Sequence, residues 1–435
     1  MHRLLISGVV AWLFFALPAA ASDYPIVDPY GYPVADPFAA TVVGVPVKQL
    51  RADLPPVKFR TRYLPKTVER EIPDVLWYNR RIPYLYAMQR KPAPLAFVIA
   101  GTGAGHNSTN NQLLMRALHA VGYHVVGLAS PSQAGFITAA GSTGVPGNLP
   151  IDAEDLYKVM QGVRDDLTRR KRDRDLITGY GLTGYSLGAM HSAYVAKLDQ
   201  ERGDFNFSKV MLINPPLSLY SSVSRLDRMI ESVPGGIDNF PAFFQSLVAQ
   251  VSAAYQESDT VAFDETLFFK AFAENPPGPD RLAGLIGAAF RISASNLIAT
   301  SDIITRFGFA IPANAQLNRS TSLTAFSQIT VRTGFTDYYH EMYFPFYQRQ
   351  EPSLTREELA ERQTLIAIQG FLRSADYIGV HHNQDDVILA PGEIEFFPEV
   401  FGERAKIYPR GGHLGNISYI ENIRDFQTFF TGVAQ

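Results

Sequence analysis

One five-residue stretch, Gly184-Tyr185-Ser186-Leu187-Gly188, constrains this chain more than any other. An apolar run, Leu176–Leu182, leads into it, and an apolar helical pattern, Ser186–Leu198, leads away. A strand that turns so abruptly into a helix leaves no room for side chains at the flanking positions, hence the two glycines. The serine is then held strained at the apex, with its hydroxyl above the sheet and at a helix N-terminus that favours developing negative charge. Ser186 is the candidate nucleophile, and Gly184 and Gly188 make the bend possible.

Strand and helix patterns alternate on both sides of that turn. Val57–Tyr63 and Ile82–Met88 read as an early hairpin, and Leu95–Ala100 as a buried strand ended by Gly101-Thr102-Gly103-Ala104-Gly105. A helix over Asn111–Val121, a strand over Tyr123–Leu128 and a helix over Ile151–Arg170 follow, the last with Asp152 near its start. Strands return at Lys209–Ile213, Tyr377–Val380 and Lys406–Tyr408, and Gly415–Phe430 closes the chain as a helix. Buried strands alternating with helices predict an α/β architecture with a mostly parallel sheet covered on both faces. From Asn214 to about Gly370 the pattern is helical instead, with Phe240, Phe243, Phe244, Leu247, Val248, Val251 and Tyr255 at helical spacing. Leu267, Phe268, Ala271 and Phe272 repeat the theme, and Thr355 with Glu358 forms a capping-box pair. The expected organisation is an export signal at 1–21, an arm without regular structure at 22–54, a core of 55–214 plus 371–435, and a helical lid insertion at 215–370.

Of the 435 residues none is cysteine, which excludes disulfides, thiolate metal sites and a cysteine nucleophile. Thirty-nine basic residues stand against 42 acidic ones, without a basic run, so nucleic acid is not an expected partner. Met1-His2-Arg3, the apolar stretch Leu4–Leu17 and Pro18-Ala19-Ala20-Ala21 have the layout of a cleaved signal peptide. That apolar stretch is short of the roughly 20 residues a span needs, so no transmembrane span is expected in the mature chain. A periplasmic or secreted protein is the expectation.

A serine hydroxyl needs a neighbouring base, and histidine titrates in the right range. His119, His124 and His191 fall within or beside regular elements, where packing roles are expected. His413 instead lies in Arg410-Gly411-Gly412-His413-Leu414-Gly415, a flexible loop after a strand and before the last helix. The acid that orients it should follow the strand Tyr377–Val380, where Asp385 and Asp386 stand side by side. Asp386 is preferred because Leu389, three residues on, can pin its loop; Asp385 is the runner-up. Lys209–Ile213 ends in Asn214-Pro215-Pro216 and offers no acid. His381 and His382 beside the two aspartates form no His-x-x-x-His pair, so no metal is expected. A tetrahedral oxyanion requires two N–H donors, expected from Leu187 and from Thr102 in the glycine-rich turn. That turn has neither phosphate-binding glycine pattern, so no dinucleotide cofactor is expected.

With the order Ser186, Asp386, His413, the sequence resembles the α/β-hydrolase superfamily over Val57–Ile213 and Tyr377–Phe430. The resemblance implies an eight-stranded, mostly parallel sheet flanked by helices, a helical lid, a Ser-His-Asp triad, no cofactor, and acyl transfer on esters, thioesters or amides. It departs in having Ala100 where many members carry His, and Ala129-Ser-Pro-Ser-Gln-Ala-Gly135 without the usual Asp-x-x-Gly. The aromatic residues of the insertion, among them Phe269, Phe335, Tyr338, Tyr339, Phe344, Phe346 and Tyr347, are expected to form its own small core and to border an apolar acyl pocket. His340 is expected to be a hydrogen-bonded residue of the insertion. The function these features imply is an exported serine hydrolase acting on a small-molecule or lipid ester. An acyltransferase or peptidase with the same triad, or a non-catalytic envelope binding protein, are the alternatives.

Overall fold

The computed structural model describes residues 24–169, 175–233 and 279–432, with scattered positions between 235 and 249. The expected export signal lies outside the described residues, as do Phe244, Leu247, Val248, Val251, Tyr255, Leu267, Phe268, Phe269, Ala271 and Phe272.

Eight strands form one sheet: β1 Arg60–Pro65, β2 Arg81–Ala87, β3 Ala93–Ile99, β4 His124–Leu128, β5 Ile177–Tyr185, β6 Lys209–Ile213, β7 Ile378–Asn383 and β8 Ala405–Tyr408. They lie in the order β1-β2-β4-β3-β5-β6-β7-β8. The β1–β2 and β2–β4 pairs are antiparallel, and every later pair is parallel. The expected hairpin is β1–β2, with Arg60 opposite Tyr86 and Pro65 opposite Arg81. Every residue of β4 and β7 is buried, as strands covered on both faces require.

Helices Leu149–Leu167 and Leu187–Arg202 cover one face through Leu156, Met160, Val163, Met190 and Ala193. Helices Thr109–Ala120 and Ile420–Thr431 cover the other through Leu114, Met115, Ile423 and Phe426. This strand order, with helices on both faces and the β5 turn at its centre, is the α/β-hydrolase fold.

The chain leaves the sheet after β6 and returns at β7. The two connecting segments pair where they leave and re-enter: the Leu219 amide donates to the Gln363 carbonyl and the Leu365 amide to that of Leu217. Beyond this stem the inserted helices have their own core, in which Phe240, Phe335, Tyr338, Tyr339, Tyr343, Phe344 and Tyr347 pack with the helix Pro279–Thr305. Arg281–Thr305 is long and apolar enough to cross a membrane, yet it is mostly buried against protein. The Thr355–Glu358 capping box forms in both directions.

The arm departs from expectation. Residues 22–54 were expected to lack regular structure, but Pro37–Val43 is a helix, with Asp36 Oδ1 accepting from the Ala39 amide. Asp36-Pro37 is a cap followed by a proline at the first helical position, a start signal strong enough for a seven-residue helix. Upstream of it, Ile26 bridges to Ile407, so the arm covers the outer edge of β8. Tyr30 and Tyr32 pack with Tyr408 and Tyr419.

Candidate active site

Ser186 sits at the apex of the β5 turn with φ 54° and ψ −129°, a conformation costly for any residue with a side chain. The elbow holds because its neighbours close in. A Cβ on Gly184 would run into the Gly188 carbonyl, and one on Gly188 into the carbonyls of Ile99 and Ala100. Gly101 lies against Tyr185 and Ser186 in the same way, which brings the turn after β3 beside the serine.

His413 Nε2 is 2.9 Å from Ser186 Oγ, and His413 Nδ1 is 3.0 and 3.1 Å from the two oxygens of Asp386. All three residues are buried. Asp386 also accepts from the Ile388 amide at 3.1 Å and from Asn214 Nδ2 at 2.8 Å. Burial pushes its carboxyl up, but His413, His382 and the Ile388 amide together hold it below the usual carboxylate range. The structure thus places His413 between Ser186 and Asp386, with Asp386 on the imidazole.

Asp385 faces the other way. Its carboxylate accepts from the amides of Gly412 (2.9 Å) and Gly411 (3.2 Å), and burial lifts its pKa to about 6. It holds the backbone that carries His413. The same loop is held by Asn383, which donates to the Gly412 carbonyl, and by Thr41 in the arm helix, whose hydroxyl accepts from the His413 amide at 2.9 Å.

Asn214 and Thr41 are the residues that sequence reasoning missed. Asn214 stands at φ 45°, which asparagine tolerates better than most residues, and an asparagine ending β6 was the available signal. Nothing local marks Thr41, whose partner lies 372 residues away.

The amides of Leu187 and Thr102 donate to no other group among the described residues. By contrast, the Gly103 amide is taken by Ser132 Oγ at 2.9 Å. Leu187 and Thr102 border one cavity of ≈ 60 Å³, otherwise walled mainly by apolar residues such as Leu219, Val223, Leu297 and Phe335. A far larger hollow of ≈ 1010 Å³ lies among Lys66, Glu71, Arg80 and Arg306; neither cavity is lined by Ser186, His413 or Asp386, but the smaller one adjoins them through Leu187.

The remaining histidines have other work. His124 accepts from the Gln89 amide and meets the Leu176 carbonyl. His382 Nε2 donates to the Pro215 carbonyl, and His381 lies edge-on to Tyr408. With Asp385 and Asp386 engaged as above, these four side chains do not converge on one point. His340 bonds Tyr220 at 3.0 Å, as expected of a residue within the insertion. His191 pairs with Asp152 at 3.3 Å beside the cavity.

No protein-family model matches the chain, and no curated protein matches it. Among solved structures it is similar to a membrane phospholipase A described as a bacterial virulence factor, at 15% identity over 86% of each chain and a TM-score of 0.43. It is also similar to an esterase from Pyrococcus furiosus, at 9% identity over 95% of this chain and 100% of that one, TM-score 0.42. A thioesterase domain from the curacin biosynthetic pathway gives 12% identity, 86% and 99% coverage, and a TM-score of 0.39. The fold assignment itself rests on the strand order and the β5 turn described above.

Proposed function

We propose, from the α/β-hydrolase fold and the groups gathered at its β5 turn, that the chain is a serine hydrolase cleaving carboxylic esters through an acyl-enzyme. The observation that carries this reading is the line of contacts from Asp386 through both nitrogens of His413 to the strained Ser186 hydroxyl. In the proposed reaction His413 Nε2 takes the proton of Ser186 as Oγ attacks the ester carbonyl. Asp386 accepts from Nδ1–H throughout, which fixes the tautomer and stabilises the imidazolium. The amides of Leu187 and Thr102 receive the oxyanion. His413 then returns its proton to the leaving alkoxide, and water repeats the sequence on the acyl-enzyme, restoring the serine and releasing the acid.

The cavity beside Leu187 and Thr102 is proposed to receive part of the ester, and its ≈ 60 Å³ admits a short chain. Ser186 and His413 are buried, so entry is proposed to require movement of the inserted helices. The leader expected at 1–21 makes this an exported enzyme in the same proposal.

Turnover of p-nitrophenyl butyrate by the purified chain tests the reading. It expects hydrolysis that Ser186→Ala reduces by about 10⁴-fold or more. Wild-type turnover no faster than that of Ser186→Ala overturns it.

A further inference from the structure

Within the apolar cavity beside Leu187 and Thr102 one ionisable group stands out. Asp152, on the helix Leu149–Leu167, borders it with a side chain only 7% exposed. Its Oδ2 accepts from the Gly147 amide at 2.8 Å and from His191 Nε2 at 3.3 Å. Its Oδ1 accepts from nothing among the described residues, and no lysine or arginine among them pairs with it. His191 is engaged with it through Nε2 alone, and the buried Nδ1 of that ring has no partner. A second polar atom is also left over, since the buried Tyr343 hydroxyl on the same cavity has no hydrogen-bond partner. A buried hydroxyl without a partner is uncommon and costly, and beside a carboxylate oxygen that receives no donor on the same cavity it points to something that fills it.

The other walls say what kind of group that is. Tyr220, Tyr338 and Tyr339 also border the cavity, and their hydroxyls are engaged elsewhere, with His340, the Pro146 carbonyl and the Arg356 carbonyl. What they give the cavity is ring surface, whose negative face attracts cations. A carboxylate oxygen, an orphan phenolic oxygen and several aromatic rings together suit a protonated amine. Its N–H groups would donate to Asp152 Oδ1 and Tyr343 Oη while its stem lies on the rings. His191, which meets Asp152 at 3.3 Å, follows Leu187 by four residues on one helix, so the subsite is tied to the element that carries the proposed oxyanion amide.

We infer that this cavity is a cation subsite, and that the ester processed at Ser186 carries an alkylammonium group seated against Asp152. This rests on the reading of Ser186 as nucleophile for the bond cleaved, but the subsite can be measured without it. Ligand-observed NMR titrations of the full chain with propylammonium and 1-propanol, at fixed ionic strength, compare the charged and neutral stems. The expected result is propylammonium binding at least ten-fold tighter than 1-propanol, with that preference lost in Asp152→Asn and weakened several-fold in Tyr343→Phe. Saturating propylammonium should also slow labelling of Ser186 by a fluorophosphonate. Circular dichroism reports whether Asp152→Asn has folded; if it has not, Tyr343→Phe, which keeps the ring, decides alone. Equal affinity for the two probes, unchanged binding in the folded variants, or no protection of Ser186 overturns the subsite and leaves Asp152 as a clamp between the Gly147 loop and His191. Binding that depends on Asp152 in a protein whose Ser186 never labels retains the subsite and discards the hydrolase. Labelling without any preference for the ammonium does the reverse.

Discussion

At the scale of single residues, the two adjacent aspartates separate cleanly. Asp386 meets the imidazole, whereas Asp385 meets two backbone amides of the loop that carries it. Replacing Asp386 by Asn keeps the shape but favours the wrong imidazole tautomer, so kcat should fall by about 10⁴-fold. Asp385→Asn retains a carbonyl oxygen that can accept from Gly412, and its activity should stay within about ten-fold of wild type. Steady-state kinetics on p-nitrophenyl butyrate distinguish the two, and equal losses would contradict the assignment. Sequence alone could rank these aspartates only by a neighbouring leucine. Their roles are set by which way each carboxylate points, and the period of the chain does not encode that.

At the scale of elements, what could be read locally was read well. The β5 turn is specified within five residues, because close backbone approach forces its glycines. The buried strands stand out as apolar runs and the helices flanking the sheet by caps or periodicity, whereas Ala134–Ala139, Leu219–Arg228, Pro279–Thr305 and Phe396–Phe401 carry no such local signal in the sequence analysis. The arm was not legible in this way: its proline- and tyrosine-rich composition masked a seven-residue helix with an ordinary cap. Its importance is also non-local, since Thr41 is the acceptor for the His413 amide and Gly412 lies against Pro37 and Thr41. Thr41→Val preserves the shape but leaves that buried amide unpaired, costing roughly 1–3 kcal/mol. The expected outcome is a lower kcat with KM little changed, because the imidazole is held less firmly while the cavity walls are intact. A rise in KM at constant kcat would instead place Thr41 on the substrate's path.

Across the whole molecule, burial of uncharged histidines dominates the response to acid. Burial lowers His106 and His381 to about 4 and also lowers His119, His124 and His382. Between pH 6.5 and 4 the unfolded chain therefore takes up protons that the folded chain refuses, and stability falls as pH falls. His381 alone is worth about 3 kcal/mol across that window, at 1.4 kcal/mol per pH unit of displacement. Asp385 and Asp155 act oppositely, because their raised pKa values stabilise the fold as they protonate, but the histidines outnumber them. Asp386, held low, adds its own loss only at more acidic pH. The thermal midpoint should fall steeply from pH 7 to pH 4, and a flat or rising midpoint would contradict this balance. The mostly parallel sheet is foreshadowed by the alternation of strands and helices, and the rules of connection narrow its strand order without fixing it. The helical spacing over 240–255 and 267–272 lies largely outside the described residues, and the helices Leu219–Arg228 and Pro279–Thr305, the stem and the cavity walls depend on contacts between segments far apart in sequence.

Peptide mapping by mass spectrometry after fluorophosphonate treatment tests the central claim most directly. A single adduct on the peptide containing Ser186, formed at least about 10²-fold more slowly in His413→Ala, is the result expected of a serine activated by that imidazole. An unmodified Ser186 in folded protein, or an adduct on Ser186 whose rate ignores His413, would contradict it.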